Sequence, residues 1–244
     1  MATPTPQELA ENALLSTLRE NDRDRLVPHM LIFDLKAGDV LQRASDPVTE
    51  TWFPCGSALA SFIVSTSTSN DAVEVALIGR EGAVGGIVSN GSLPSFSTAT
   101  VRNAGKFLRI KTSALEHAKI DSLHLRHWFS RYSDCLLAQV FQTAACNAKH
   151  TITQRSAKWL IAAFRRTGSR EFDMTQEQLA ELLGVGRTFV TRTVSKLRAQ
   201  GYIETRRGVF VVLNERGLAD LSCRCTFAIE NHFDTVMHGI YPAD

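Results

Sequence analysis

Apolar residues between Leu31 and Ile110 come in short alternating runs separated by turn residues: LIFDL, VLQRA, TETWFPC, GSALASFIVS, AVEVALIG, STATVRNAG and KFLRI. Strands at this spacing predict an all-β sandwich or barrel. On both sides the period becomes helical. Leu9 to about Leu26 reads as one or two short helices, with Leu14, Leu15 and Leu18 as an apolar patch and the charged run Glu20 to Arg25 exposed. Asp121 to about Lys149 predicts one long helix. Leu125, Phe129, Tyr132, Leu136, Val140 and Ala144 form one stripe on it, and Trp128, Leu137, Phe141 and Ala145 an adjoining one. Two stripes imply two partners, the β-region and a second copy of the helix.

The next stretch is marked by caps. Thr151 and Gln154 have the spacing of a capping box ahead of TITQRSAKWLIAAFRR, whose Ile161, Ala162 and Phe164 predict a packed face, and Thr167-Gly168-Ser169 closes it. A hinge is expected near residues 147–151. Residues 174–213 then read MTQEQLAELLGVGRTFVTRTVSKLRAQGYIETRRGVFVVL. Thr175 with Gln178 opens a helix whose Leu179, Leu182 and Leu183 share a face, and Gly184 ends it. A second helix is expected from about Arg187 to Gln200. At about 100° per residue, Arg187, Thr188, Thr191, Arg192, Ser195 and Arg198 fall on one arc. Phe189, Val190, Thr193, Val194 and Leu197 fall opposite, and this arc should pack on the first helix. Tyr202–Thr205 and Val209–Leu213 read as a hairpin turned by Arg206-Arg207-Gly208. Asn214 can cap a last helix, Glu215 to about His232, before HGIYPAD, a loose tail.

Two helices joined by Gly-Val-Gly and followed by a basic hairpin make a winged helix-turn-helix pattern. Here the chain resembles the Crp/Fnr family of bacterial transcription regulators, most specifically over T175-Q-E-Q-L-A-E-L-L-G-V-G-R-T-F-V-T-R-T-V-S-K-L. Gly186 stands where the family usually has a capping Ser. Thr188 replaces the residue that usually follows the first Arg, so the half-site sequence cannot be copied from better-known members.

The resemblance implies an α+β chain: an N-terminal β-roll, jelly-roll-like, as sensor domain; a long dimerisation helix; and a C-terminal winged helix-turn-helix domain. The expected boundaries are 1–120, 121–150 and 151–244. Thr175, Gln176, Arg187, Thr188, Thr191, Arg192, Ser195, Lys196, Arg206 and Arg207 are the expected DNA contacts. Arg and short hydroxyls suit base edges and phosphates, and wing arginines suit phosphates. In the family the long helix is the dimer interface, which assigns Leu125, Phe129, Tyr132, Leu136, Val140 and Ala144 to it. A two-fold dimer predicts a palindromic operator.

The matching cyclic-nucleotide-binding-like roll departs from its family in the phosphate cassette. Gly86-Ile87-Val88-Ser89-Asn90-Gly91-Ser92-Leu93-Pro94-Ser95 lacks the acid after glycine and has Ser95 where Arg follows Pro. A buried phosphate would lack its cation, so cyclic AMP or GMP is not expected. The effector is unknown. Arg80 and Glu81 of Gly79-Arg80-Glu81-Gly82, with Ser95, Ser97 and Thr98, are candidate effector contacts; a tight turn with an Arg–Glu pair is the alternative reading of the first two.

Charge agrees with two unlike parts. Of the net +2, residues 151–215 carry eleven Lys/Arg and six Asp/Glu, a net +5 that leaves about −3 for the remainder. No apolar run reaches membrane-spanning length and the start MATPTPQELAENALL has no signal-peptide pattern, so no membrane partner and a cytoplasmic location are expected. Five cysteines in such a chain suit a reducing compartment. Cys135 and Cys146 would be about 16 Å apart along a helix. A helical Cys223-x-Cys225 would point its thiols apart, so no metal site is expected and the thiols read as buried and inert. No N-terminal cysteine cluster offers an iron–sulfur site, and haem has no specific support. No catalytic motif appears, and the chain is not expected to be an enzyme. The expected partners are palindromic double-stranded DNA, a second copy and a small-molecule effector. RNA polymerase joins them for an activator, although no polymerase-facing surface is identifiable. A ligand- or redox-sensing module acting through protein contacts is the competing function.

Overall fold

The computed structural model describes residues 3–66, 72–87 and 93–238. Three short helices open the chain: α1 (Pro6–Ala10), α2 (Ala13–Ser16) and α3 (Glu20–Leu26). Among the described residues seven strands follow: β1 (Met30–Leu35), β2 (Val40–Gln42), β3 (Glu50–Pro54), β4 (Leu59–Ser65), β5 (Ala72–Ile78), β6 (Thr98–Asn103) and β7 (Gly105–Lys111). They form two antiparallel sheets, ordered β1-β7-β3 and β2-β6-β4-β5. The alternation has its physical basis here: Trp52, Ala60, Ala76, Ile78, Val101 and Phe107 are buried in one apolar cluster of the roll.

Helix α4 (Thr112–Asp121) precedes α5 (Leu123–Lys149). The sequence pattern predicts no α4 and a long helix from Asp121; in the structure Asp121 ends α4 and the long helix starts at Leu123. Ser122 separates the two in an extended conformation, and its hydroxyl accepts from the Leu125 amide at 3.2 Å. At about 1.5 Å per residue, α5 is about 40 Å long. Its first half is buried: Leu125, Trp128, Phe129 and Tyr132 share a core with Leu15, Leu26, Phe53 and Leu108. The Tyr132 hydroxyl accepts from the Ala83 amide at 2.9 Å and donates to the Ala83 carbonyl at 3.1 Å. Burial raises its pKa above the usual tyrosine range.

This packing corrects the expected interface. Leu125, Phe129 and Tyr132 face their own roll and cannot also face a second copy. Leu136 and Val140 pack at the edge of the roll core. Besides Leu123 at its start, α5 leaves Leu137 and Phe141 free in its second half, 48% and 65% exposed, followed by exposed Ala144, Ala145 and Ala148.

Beyond His150 the chain forms α6 (Ile152–Thr167), β8 (Glu171–Asp173), α7 (Gln176–Leu183), α8 (Arg187–Ala199), β9 (Ile203–Arg206) and β10 (Val209–Val212). The three strands form a small sheet, β8-β10-β9. The expected last helix is two, α9 (Glu215–Leu221) and α10 (Cys225–Met237), broken at Ser222–Arg224. The last tail residues, 239–244, lie outside the described residues, as do 88–92 of the cassette. No described helix is long and apolar enough to cross a membrane.

The roll and the C-terminal part share a core. Leu59 and Leu77 pack in one cluster with Leu160, Ala163, Leu179, Leu183, Val190 and Leu197. Trp159 on α6 donates to the buried Glu74 carboxylate of β5 at 2.8 Å. Arg166, also on α6, pairs with Glu81 at 2.7 Å.

Candidate nucleic-acid interface

Helix α7 begins with the expected capping box. Thr175 Oγ1 accepts from the Gln178 amide at 3.1 Å, and Gln178 Oε1 accepts from the Thr175 amide at 2.8 Å. Gly184 ends it in the left-handed conformation (φ 61°). Leu179, Leu182 and Leu183 are buried.

The buried side of α8 is Val190, Thr193, Val194 and Leu197. Its other face carries Arg187, Thr188, Thr191, Arg192, Ser195, Lys196 and Arg198, all exposed. Gly186 caps α8 with backbone alone. Thr191 Oγ1 donates to Gln176 Oε1 at 2.9 Å, which ties the start of α7 to the exposed face of α8. Nine of the ten expected contacts are thus exposed at the α7 cap, on α8 and in the wing, and Gln176 is half-buried.

Two details depart from the sequence reading. Phe189 was expected on the packed arc but is 55% exposed. It lies in the first turn of α8 at the edge of the packed arc, whose centre is held by buried Val190, Val194 and Leu197. In the wing, β9 and β10 pair Arg206 opposite Val209 around the Arg207-Gly208 turn. Arg206 makes two bonds to Glu204, Nε to Oε1 at 3.1 Å and Nη2 to Oε2 at 3.0 Å. That guanidinium holds the Glu204 carboxyl below the usual range.

Residues 154–221 match the Crp-like helix-turn-helix domain. The Crp-like segment thus spans α6 to α9. It leaves α10 outside, although α10 packs along α5: Arg131 donates to the Val236 carbonyl at 3.2 Å, and His232 lies 3.0 Å from Asp134. Solved structures share the fold over the larger part of the chain. FixK2 from Bradyrhizobium japonicum superposes with a TM-score of 0.66 at 17% identity, covering 80% of this chain and 98% of that one. The c-di-GMP responsive global regulator CLP of Xanthomonas campestris gives 0.64 at 16%, covering 80% and 99%. A transcriptional regulator of the CRP/FNR family from Thermus thermophilus gives 0.58 at 18%, covering 79% and 98%. No curated protein matches the chain. The chain thus shares the fold of these structures, a two-sheet roll, a long helix and a Crp-like helix-turn-helix segment.

The candidate effector residues separate into two places. Ser95 and Ser97 line a cavity of about 550 Å³ inside the roll, with Gln42, Phe62, Leu136 and Val140. Ser95 Oγ accepts from Gln42 Nε2 and donates to the Ser97 carbonyl, both at 2.6 Å. Gln42 Oε1 is buried and has no hydrogen-bond partner among the described residues. Thr98 instead accepts from the Ala44 amide at 3.2 Å. Arg80 and Glu81 lie at the seam between the roll and α6. Glu81 pairs across that seam with Arg166 rather than with its neighbour Arg80.

Proposed function

We propose that the chain is one half of a symmetric DNA-binding transcription regulator. The observation that carries this reading is the exposed face of α8, which holds Arg187, Arg192, Lys196 and Arg198 among hydroxyls while its opposite face is buried. Arg187 and Arg192 suit guanine edges or phosphates, and the short hydroxyls suit either. Arg207 at the wing tip suits a phosphate. Phe189 adds an apolar group able to lie against a thymine methyl.

The division at residues 120 and 150 then separates a sensor, a dimer helix and a reader. The free seam of α5 from Leu137 through Phe141, Ala144 and Ala148 takes the same seam of a second copy. The pair presents its two recognition helices about 34 Å apart, one duplex turn, to a palindromic site. Location with the genome in the cytoplasm agrees with five unbridged cysteines.

The effector enters the roll cavity. Among its described lining residues there is no Lys or Arg, and a phosphate there would lack compensation. An uncharged, largely apolar molecule with one donor for Gln42 Oε1 suits the lining. Leu136 and Val140 of α5 touch the cavity directly, so occupancy biases the pose of the helix that precedes the reader, a population shift.

Selection from a randomised duplex pool tests this reading. The full chain should enrich a two-fold symmetric sequence, and Arg187→Ala should relax one position in each half-site. Enrichment of no sequence would overturn it.

A further inference from the structure

The cysteines do not lie as a continuous helix would place them. Cys223 sits in the break between α9 and α10, and Cys225 is the first residue of α10. Arg224 between them has φ −72° and ψ 6°, outside the regular helix. Cys223 and Cys225 therefore do not share a continuous helix, and both thiols turn to the same side. Cys146 and His150, four residues apart at the end of α5, face them. The three sulfurs and one imidazole nitrogen all lie within 4.8 Å of one another.

We infer that Cys146, His150, Cys223 and Cys225 form a Cys₃His site for a zinc ion. Cys146 Sγ lies 3.6 Å from Cys223 Sγ, and Cys225 Sγ lies 3.5 Å from His150 Nδ1. Bonds of about 2.3 Å to sulfur and about 2.0–2.1 Å to nitrogen, at tetrahedral angles, set the corresponding edges at about 3.8 Å and about 3.6 Å. These two edges match, and the remaining donor pairs lie within 4.8 Å. All three thiols are buried, and His150 is half-buried at the rim. Soft thiolates with one imidazole select zinc over calcium or magnesium, which take oxygen ligands. Gln142 Nε2 donates to Cys225 Sγ at 3.1 Å, an outer partner of the kind that orients a thiolate ligand. Three thiolates on a divalent ion leave one net negative charge. Lys158 and Arg155 lie within Coulombic range of Cys146 to offset it.

The site gives α10 a task. Two ligands come from the last turn of α5, directly before Thr151 caps α6, and two come from the start of α10. A bound ion would pin α10, which lies outside the Crp-like segment, to the joint between the long helix and the reader.

Titration of the reduced full chain with cobalt(II), without air, tests this. The expected result is one cobalt per chain, with the red-visible bands of tetrahedral cobalt and a near-ultraviolet thiolate band, both removed by zinc. Cys223→Ser and His150→Ala should weaken uptake by more than the about 10–100-fold typical of outer-shell changes. Cys135→Ser should leave it unchanged. The absence of tetrahedral cobalt in the folded, reduced wild-type chain would overturn the site. So would a native protein holding iron and labile sulfide, or one with Cys146 and Cys223 joined as a disulfide when purified without air. The readout is independent of DNA: a chain that takes cobalt but prefers no duplex sinks the regulator reading and leaves the metal site standing.

Discussion

Replacing Trp159 by Phe should loosen the join between the roll and the reader. The indole N–H donates to Glu74 at 2.8 Å, and the Glu74 side chain is buried with Arg102 Nε 3.7 Å from its other oxygen. Phe fills most of the space but offers no donor. An unsatisfied buried acceptor costs about 1–3 kcal/mol, and a bond to a charged group contributes about 1.5–3 kcal/mol. Urea unfolding of wild type, Trp159→Phe, Glu74→Leu and the double variant forms a cycle in which the loss of Arg102's neighbour cancels. The expected coupling is about 1.5–3 kcal/mol. Coupling below about 0.5 kcal/mol, the level of independent sites, would refute the claim that this bond holds the two parts together.

The same carboxyl gives a pH signature. Burial pushes the Glu74 pKa above 4.5, against the lowering pull of Arg102 and the Trp159 bond. The folded chain therefore holds more protons than the unfolded one above that value. Stability from this group is fully present below about 4.5 and is lost as pH rises through the folded pKa. Glu74→Gln keeps an acceptor for Trp159 and removes the slope; an unchanged slope would count against Glu74 as its source.

Further expectations concern the DNA and dimer faces. Arg187→Ala should cost about 1–3 kcal/mol per half-site, confined to one base position; a uniform loss across sequences would point to a phosphate contact instead. Arg207→Ala should weaken all sequences alike and lower the salt slope by about one. Arg206→Ala should do less, because Arg206 must first leave Glu204, and Glu204→Ala should strengthen binding; equal losses for both arginines would argue against that pairing. Phe141→Glu should raise the dimer dissociation constant at least about tenfold, or about 1.4 kcal/mol, without altering the fold of the single chain. An unchanged dimer in sedimentation would exclude this seam.

Local chemistry made the reader legible. Thr175–Gln178, Gly184 and the Arg207-Gly208 turn each specify a cap or a turn within a few residues, and the α8 pattern divides at the helical period. What was not legible depends on distant partners. Both stripes of α5 are apolar, and periodicity does not say that the roll covers Trp128 and Phe129 alike while Phe141 stays free. Ser222-Cys223-Arg224 contains neither Gly nor Pro, so nothing local announced the break that separates α9 from α10. That break, and the return of α10 to α5, bring together cysteines 77 and 79 residues beyond Cys146. Sequence distance hid a cluster that the fold closes to within 4.8 Å.

The most direct test of the central claim is salt-dependent binding of the full chain to its selected palindromic duplex and to a scrambled one, with stoichiometry from sedimentation. The account predicts two chains per palindrome, preference over the scrambled duplex, and a linear fall of log affinity with log salt as counterions are released. Equal affinity for both duplexes, or one chain bound per site, would contradict it.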